Sequence, residues 1–214
     1  LKITEAYHIF DKTIKTYHNA VHYISDIVIR HYDELKSLES ITGDDGKVII
    51  SAQQRRQQKM ERLIHSTANN DATYKRFDKE FYKFPSYLRR DAINTAIGLI
   101  LSYRSQLQKW EDGGKHGRRP YLNRNQNTMP CFYRNNTFLD SEETNIISLK
   151  LYNGKDWIWE TFAIRDCDFM YAYSHMKAWK ASAPVLVKRN HRYELRISYE
   201  MAGHKFPKFK KDKE

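Results

Sequence analysis

The chain has 214 residues, and its 37 Lys and Arg outnumber 26 Asp and Glu, which gives a formal net charge of +11 at pH 7. This length allows one ordinary domain or two small ones, and an apolar fraction of 40% with 29% charged residues excludes wholesale disorder and a membrane protein. Basic surfaces attract phosphate backbones whatever the base sequence. The charge therefore favours a nucleic acid as partner, although ribosomal and membrane-surface proteins are also basic.

The cysteines and the N-terminus bear on the compartment. Only Cys131 and Cys167 occur, so a disulfide framework is not expected and a reducing compartment is favoured. Residues 1–10 contain no apolar signal-peptide core, and no apolar run approaches the ~20 residues of a membrane-spanning helix. We therefore expect a cytoplasmic protein without a membrane partner.

The hydrophobic period changes near the start of the chain. Residues 1–10 are β-branched and aromatic and predict a short strand. From Asp11, apolar residues recur every three or four positions, which predicts an amphipathic helix to about Leu38. This stripe consists of Ile14, Tyr17, Val21, Ile24, Ile27 or Val28, and Tyr32. Residues 42–46 contain two glycines and two aspartates and predict a turn.

Three more helices are predicted before the first long loop. Residues 51–65 open on Ser51, a suitable N-cap, and residues 71–82 form a shorter helix. The clearest helix begins with Ser86 as its N-cap and ends at Gly113-Gly114. Gly98 within it costs about 1 kcal/mol relative to Ala, which predicts close packing against another helix.

The chain changes to β character after Gly113. Asn153-Gly154 is a strong hairpin signal, and Arg189-Asn190 is a weaker one. The tail, residues 203–214, has five lysines among Pro and polar residues and is typical of a linker. The predicted strands cover residues 145–152, 157–164, 184–188 and 192–199.

Three groupings of reactive side chains are weak candidates for chemistry. His18 and His22 share a helix face at zinc-ligand spacing, but no third ligand is identifiable, so we interpret them as ordinary surface or core histidines. Cys131 and Cys167 lack a CxxC partner and are expected to be buried thiols. Asp166 and Asp168 would project to the same side of a strand, as in a two-metal nuclease, although solvated carboxylates are the commoner interpretation. No nucleotide-binding glycine motif is present.

Basic and aromatic residues interleave in a pattern typical of nucleic-acid binding. Residues 113–139 contain no Asp or Glu and five cations, and Tyr87, Arg90 and Asn94 share one face of the long helix, where Asn and Arg can pair with bases. A solvated basic face is the alternative. The predicted nucleic-acid-binding residues are Arg55, Arg56, Tyr87, Arg89, Arg90, Asn94, Arg104, Lys109, Lys115, Arg118, Arg119, Tyr121, Arg124, Asn125, Tyr133, Arg134, Lys188, Arg189 and Arg192.

Three stretches together are similar to a known family: residues 84–111 (FPSYLRRDAINTAIGLILSYRSQLQKWE), 148–161 (SLKLYNGKDWIWET) and 183–200 (APVLVKRNHRYELRISYE). They resemble the N-terminal half of TnpB-type proteins, the transposon-encoded RNA-guided nucleases related to type V CRISPR effectors. The resemblance implies an α+β fold in which a helical recognition lobe is inserted into a small oligonucleotide-binding-like β-barrel, the wedge domain. The implied divisions are a first wedge strand at 1–10, the lobe at 11–112, the barrel at 113–202 and a basic linker at 203–214.

The resemblance also implies a function. Such proteins hold a guide RNA and read a short duplex DNA motif beside the target, in the prokaryotic cytoplasm and on the nucleoid when bound to DNA. The family's carboxylate trio and zinc ribbon would follow Glu214, so we expect no catalysis, cofactor or small-molecule substrate in this chain, with Mg²⁺ and Zn²⁺ confined to the nuclease half. The alternatives are a stand-alone RNA-binding structural protein and a nuclease completed by Asp166 and Asp168 or by a partner chain.

Overall fold

A computed structural model describes residues 3–123, 128–140, 146–163, 180–189 and 192–200. These residues have a mixed α+β architecture. The helices are α1 (Ile3–Arg30), α2 (Tyr32–Lys36), α3 (Ala52–Ile64), α4 (Arg76–Glu80) and α5 (Ser86–Asp112). The strands are β1 (Ile41–Thr42), β2 (Val48–Ile50), β3 (Phe138–Asp140), β4 (Ile146–Tyr152), β5 (Trp157–Ala163), β6 (Lys180–Ala181), β7 (Val185–Arg189), β8 (Arg192–Arg196) and β9 (Tyr199–Glu200).

The strands form small antiparallel sheets. Strands β3, β4 and β5 make a three-stranded sheet in that order, and β1–β2, β6–β9 and β7–β8 make pairs. The hairpin predicted at Asn153-Gly154 is confirmed, because Tyr152 faces Trp157 across it and Gly154 has a φ of +106°. Among the described strands there is no closed barrel. The five described helices and the antiparallel strands confirm the α+β class, but not the barrel.

The prediction of a strand at residues 1–10 is wrong, because α1 begins at Ile3. The reason lies in packing: the Phe10 ring lies 5.0 Å from that of Phe162 and 4.9 Å from that of Tyr193. Strand preference reflects packing on a pleated surface more than an intrinsic backbone preference, so a helix that buries these residues is favoured. The first wedge strand implied by the resemblance is thus helical.

The core is continuous from the helices into the sheets. Helix α1 packs against both α5 and β4. Thr13 of α1 links the two layers, because its Oγ1 accepts a hydrogen bond from the Tyr152 N–H at 2.9 Å and donates to the Ile9 carbonyl at 2.8 Å. The same apolar cluster contains fully or almost fully buried residues of both parts, including Tyr17, Ile24, Leu88, Ile100, Phe132, Phe138, Leu149 and Leu186.

The predicted helix ends meet different outcomes. Ser51 is confirmed as an N-cap, since its Oγ accepts from the Gln54 N–H at 3.2 Å. Ser86 is not a cap: Pro85 occupies that position and Ser86 is the first helical residue, without a capping hydrogen bond. The packing predicted at Gly98 is wrong, because Gly98 is exposed and an added Cβ would meet no atom within 4 Å.

Two other helices have different bounds from those predicted. The helix predicted from Asp11 to about Leu38 is interrupted between Arg30 and Tyr32. The helix predicted at 71–82 is reduced to α4, because the Ala72 N–H donates to the Ser66 hydroxyl at 3.2 Å and the Tyr74 N–H donates to the Leu63 carbonyl at 2.8 Å, so the chain before α4 bonds to residues outside a helix. Three of the predicted strands after Gly113 are confirmed within one residue at each end as β4, β5 and β7, whereas the strand predicted at 192–199 ends at Arg196 as β8 and Tyr199 begins β9. No helix of the described residues is both long and apolar enough to cross a membrane.

Candidate nucleic-acid interface

The chain leaving α5 is held against the end of that helix. We call residues 113–123 the basic segment. The Lys115 N–H donates to the Trp110 carbonyl at 2.9 Å, and the Trp110 indole N–H donates to the Gly117 carbonyl at 3.3 Å. Positive φ angles at Gly114, Lys115 and Gly117 make the close turns possible. The segment is therefore anchored by its backbone, which leaves its side chains available.

The cations of the basic segment are exposed and stacked on aromatic rings. The Arg118 guanidinium lies 5.2 Å from the centre of the Tyr121 ring, and that of Arg119 lies 5.9 Å from Trp110. Tyr121 is itself 63% exposed. Within the described parts of the chain, no carboxylate forms an ion pair with Lys115, Arg118 or Arg119. Stacking keeps a guanidinium flat and its N–H groups turned outward, an arrangement suited to phosphate.

A second cluster joins the start of α5 to the chain before β3. The rings of Tyr87 and Tyr133 lie 5.4 Å apart, and the Arg90 guanidinium lies 5.3 Å from the Tyr87 ring. Burial, together with the charge of Asp91, raises the pKa of Tyr133, so its hydroxyl stays protonated and can donate. The structure thus brings three predicted residues together. Arg134 follows Tyr133 in the chain, and its guanidinium lies 5.4 Å from the centre of the Phe138 ring.

Two predicted contact residues in the first half of α5 have polar atoms enclosed by the protein. Arg89 is 7% exposed and forms an ion pair with Glu61 at 3.0 Å, so its guanidinium belongs to the core and cannot meet phosphate. The Oδ1 atom of Asn94 is enclosed, without a hydrogen-bond donor among the described residues. A bidentate contact to adenine needs both the oxygen and the nitrogen of the amide, and the oxygen is not accessible in this side-chain position. Base reading by Asn94 stays a prediction.

Three further predicted cations are occupied by the protein itself. Arg55 donates to the Glu39 carbonyl at 2.7 Å, and Arg56 donates to the Leu35 carbonyl at 2.8 Å. Both side chains therefore hold the end of α2 and the chain after it against α3. Lys188 pairs with Asp11 at 2.6 Å. The hydrogen bond that Lys188 donates to the Asp11 carboxylate is the main reason that the pKa of Lys188 is raised. These three side chains are held by contacts within the fold, although only Lys188 is paired with a carboxylate of the described residues.

Arg104 and Lys109 line a groove of about 740 Å³ between α5 and the α1–α2 corner. The Arg104 guanidinium lies 5.0 Å from the Tyr32 ring, and Lys36 approaches the same ring at 5.8 Å. The Arg104 Nε atom is enclosed and has no acceptor among the described residues. Asp33 and Glu111 also line the groove, so its charge is mixed, unlike that of the basic segment.

Arg189 and Arg192 face each other where β7 meets β8, which confirms the weaker hairpin prediction. Both are exposed, and neither has an ion-pair partner among the described residues. Like charges directly opposite each other destabilise a strand pair, so a bound anion would relieve this repulsion.

Five other residues named in the sequence predictions lie outside the described residues: Arg124, Asn125, Cys167, Asp166 and Asp168.

The histidine pair shows ordinary structural contacts. The His18 and His22 rings lie 4.2 Å apart, and His18 Nδ1 hydrogen-bonds the buried Thr128 hydroxyl at 3.0 Å. Burial and the neighbouring His22 lower the pKa of His18. In the described ranges, no three His, Cys, Asp or Glu side chains gather as metal ligands would.

Cys131 is half-buried rather than fully buried, and burial and the charge of Asp91 raise its pKa to about 12. Its thiol is therefore protonated at neutral pH, whereas nucleophiles and metal ligands need the thiolate.

Trp110 was missed as an interface residue because its position continues the apolar stripe of α5. Its place in the last helical turn, immediately before the acid-free stretch, is the signal that could have identified it.

Comparisons with known proteins are sparse. Neither the curated proteins nor the solved structures include a match to this chain. Residues 1–153, more than two thirds of the chain, match the model of the Aq_aa04 family. This match covers all five helices, the basic segment, and strands β1 to β4. The chain therefore belongs to the Aq_aa04 family.

Proposed function

We propose that this chain binds nucleic acid through the basic segment at the end of α5. The observation that carries the proposal is the set of exposed cations Lys115, Arg118 and Arg119, which have no carboxylate partner among the described residues. Cations of this kind bind phosphates by releasing counterions. The exposed ring of Tyr121 adds a surface on which a base can stack.

The more specific proposal follows the resemblance to TnpB-type proteins. In it, the chain is the nucleic-acid-binding half of an RNA-guided DNA-targeting protein, which holds a guide RNA and contacts duplex DNA beside the target. The order of the elements supports this proposal, because five helices precede the basic segment and most strands follow it. Cleavage is then assigned to a separate nuclease half, and the proposed location is the prokaryotic cytoplasm and nucleoid.

A salt titration tests the general proposal. The affinity of the purified chain for structured RNA and for duplex DNA is measured by fluorescence anisotropy over a range of salt concentrations. The double variant Arg118→Ala with Arg119→Ala should weaken binding to every sequence and reduce the salt slope by about 1 to 2, since each lost duplex phosphate contact contributes about 0.9.

The matched control is Arg62→Ala with Lys79→Ala, which removes the same charge from exposed positions on α3 and α4. It should leave the slope nearly unchanged. An equal loss in both double variants would mean that net charge alone governs binding, and the basic segment would lose its special role.

Co-purified RNA tests the specific proposal against a stand-alone RNA-binding protein. The chain is expressed together with the DNA that flanks its gene, and the RNA that it retains is sequenced. An RNA-guided protein should retain one recurring RNA scaffold joined to a guide sequence, and this RNA should enhance binding to matched duplex DNA. A broad mixture of cellular RNAs, with no effect on DNA binding, would instead support the structural RNA-binding alternative.

A further inference from the structure

The accessible face of the three-stranded sheet carries an exposed tryptophan beside a lysine. Side chains of β4 alternate, so Ile147, Leu149 and Leu151 are buried whereas Lys150 lies on the opposite face. Lys150 pairs in register with Trp159 of β5, and its Nζ atom lies 5.4 Å from the centre of that ring. Trp159 is 41% exposed, so a large aromatic surface remains open to solvent.

The surroundings of Trp159 are mostly apolar or hydroxylic. Beyond them lies the Asp156 carboxylate, whose pKa is lowered first by its hydrogen bond from Lys83 and, to a smaller extent, by the nearby charge of Lys150. Next along the face, the Ser148 and Thr161 hydroxyls share a hydrogen bond of 2.9 Å. Leu139, which pairs with Ser148, is 42% exposed. The carboxylate of Glu160 projects to the other face, because neighbouring residues of a strand alternate. An extended ligand would therefore meet an aromatic ring, hydroxyl groups and a cation in succession.

Core packing does not require the Trp159 ring. Trp157, two residues earlier, is 6% exposed, and its ring lies 5.1 Å from Phe84 and 5.3 Å from Tyr152. That tryptophan fills the interior at the end of the sheet. Trp159 extends the strand beyond this packed region, and Lys150 has no ion-pair partner among the described residues.

We infer that this face binds unpaired bases of single-stranded nucleic acid, with a base stacked on Trp159 and the adjacent phosphate held by Lys150. Every base presents a flat π surface to an aromatic ring, so such stacking tolerates any sequence. The Ser148 and Thr161 hydroxyls are placed to bond to base edges or sugars. The Lys150 ammonium beside the ring and the net charge of +11 favour a polyanion over an apolar protein segment. This inference rests on the proposed nucleic-acid binding and adds the strandedness of the ligand.

The test compares single-stranded with duplex ligands. Trp159→Ala should lower the affinity for a labelled oligo(dT) probe about tenfold, which is the scale of one lost stacking contact. Trp159→Phe should lose less, and duplex affinity should remain unchanged in both variants. Lys150→Ala should reduce oligo(dT) affinity together with its salt slope. Circular dichroism of Trp159→Phe, which retains an aromatic ring in the sheet, verifies that the fold is intact.

The matched control is Tyr82→Ala. Tyr82 is a 63% exposed aromatic ring with Lys83 5.3 Å from its centre, but Lys83 pairs with Asp156 at 3.0 Å. This variant should retain full oligo(dT) affinity. Unchanged oligo(dT) binding by Trp159→Ala, or an equal loss on duplex DNA, overturns the inference. A changed oligomeric state without a change in binding also overturns it, because the face would then contact a second copy.

The two proposals fail in distinguishable ways. If only the sheet face is misassigned, Arg118→Ala with Arg119→Ala still weakens binding whereas Trp159→Ala has no effect. If wild-type protein binds neither RNA, oligo(dT) nor duplex DNA, both proposals fall together.

Discussion

The Tyr17 hydroxyl donates a hydrogen bond of 2.6 Å to Oδ2 of Asp91, and it joins the middle of α1 to the first half of α5. The same carboxylate oxygen accepts from the Cys131 N–H at 3.0 Å. One half-buried carboxylate thereby holds two helices and the chain that leads into β3. Burial raises the pKa of Tyr17 and also that of Asp91. Neither residue belongs to the proposed interface, so both report on the stability of the fold.

Removing the Tyr17 hydroxyl should destabilise the protein without affecting its ligands. We expect Tyr17→Phe to lower the free energy of unfolding by about 1–3 kcal/mol, because the half-buried Asp91 carboxylate loses a donor. Urea denaturation followed by circular dichroism measures this change. Tyr82→Phe, at an exposed ring, is the control and should be neutral. A neutral result for Tyr17→Phe would show that Asp91 finds another donor.

The raised pKa of Asp91 predicts a pH dependence of stability. Burial raises this pKa more than the hydrogen bonds from Tyr17 and Cys131 lower it. The folded state then retains the proton at a pH where the unfolded chain has released it. The free energy of unfolding therefore decreases, through Asp91, as the pH rises from the ordinary carboxyl pKa to the raised value.

Asp91→Asn removes this pH dependence. Its stability relative to wild type should increase as pH rises through that window, as measured by urea denaturation at several pH values. A relative stability that instead decreases with pH would indicate that the pKa of Asp91 is lowered in the folded protein.

The ion pair of Glu61 with Arg89 should matter more than its contact with Arg90. Glu61→Gln leaves the Arg89 guanidinium buried without a countercharge, and we expect it to cost about 3 kcal/mol. Arg90→Ala removes an exposed partner at 3.4 Å and should cost less than about 1 kcal/mol. Guanidinium denaturation of both variants tests this order. Equal effects would contradict the assignment of Arg89 to the core.

Two serines at helix starts make a matched pair. Ser51→Ala should lower stability by about 1 kcal/mol, because the Gln54 N–H loses its capping acceptor. Ser86→Ala should be nearly neutral, since Ser86 makes no capping hydrogen bond. Thermal unfolding monitored at 222 nm compares them under identical conditions. A larger loss for Ser86→Ala would reverse the assignment of the two caps.

The facing arginines of the β7–β8 hairpin predict opposite effects on binding and stability. Arg192→Ala should weaken binding to RNA and reduce its salt slope, because a phosphate contact is lost. The same change relieves repulsion from Arg189 and should leave stability equal or slightly higher. Anisotropy and urea denaturation provide the two measurements. Reduced stability with unchanged binding would assign Arg192 a structural role.

Local chemistry made part of the fold predictable. The β4–β5 hairpin follows from Asn153-Gly154, because the Asn153 Oδ1 atom accepts from the Lys155 N–H and Gly154 takes a positive φ. The helical conformation around Phe10 could not be predicted, since its partner Phe162 lies about 150 residues away in sequence. Strand preference in residues 1–10 was overridden by that contact.

The same division applies to the candidate interface. The free charge of Arg118 and Arg119 was visible in the sequence because no acidic residue lies nearby. The burial of Arg89 was not visible, since it depends on Glu61 in another helix. The exposure of Trp159 was also hidden, because a strand sequence does not reveal which of two tryptophans will be covered.

The position of α1 has a consequence for synthesis on the ribosome. Its buried stripe is completed by α5 and by β4, whose residues are translated up to about 120 positions after α1 ends. At ~5–20 residues per second, α1 would wait on the order of 10 s before the last of these partners emerges. During that interval Tyr17, Val21 and Ile24 lack their native cover, so nascent chains of this protein should be sensitive to loss of a chaperone that shields apolar helices.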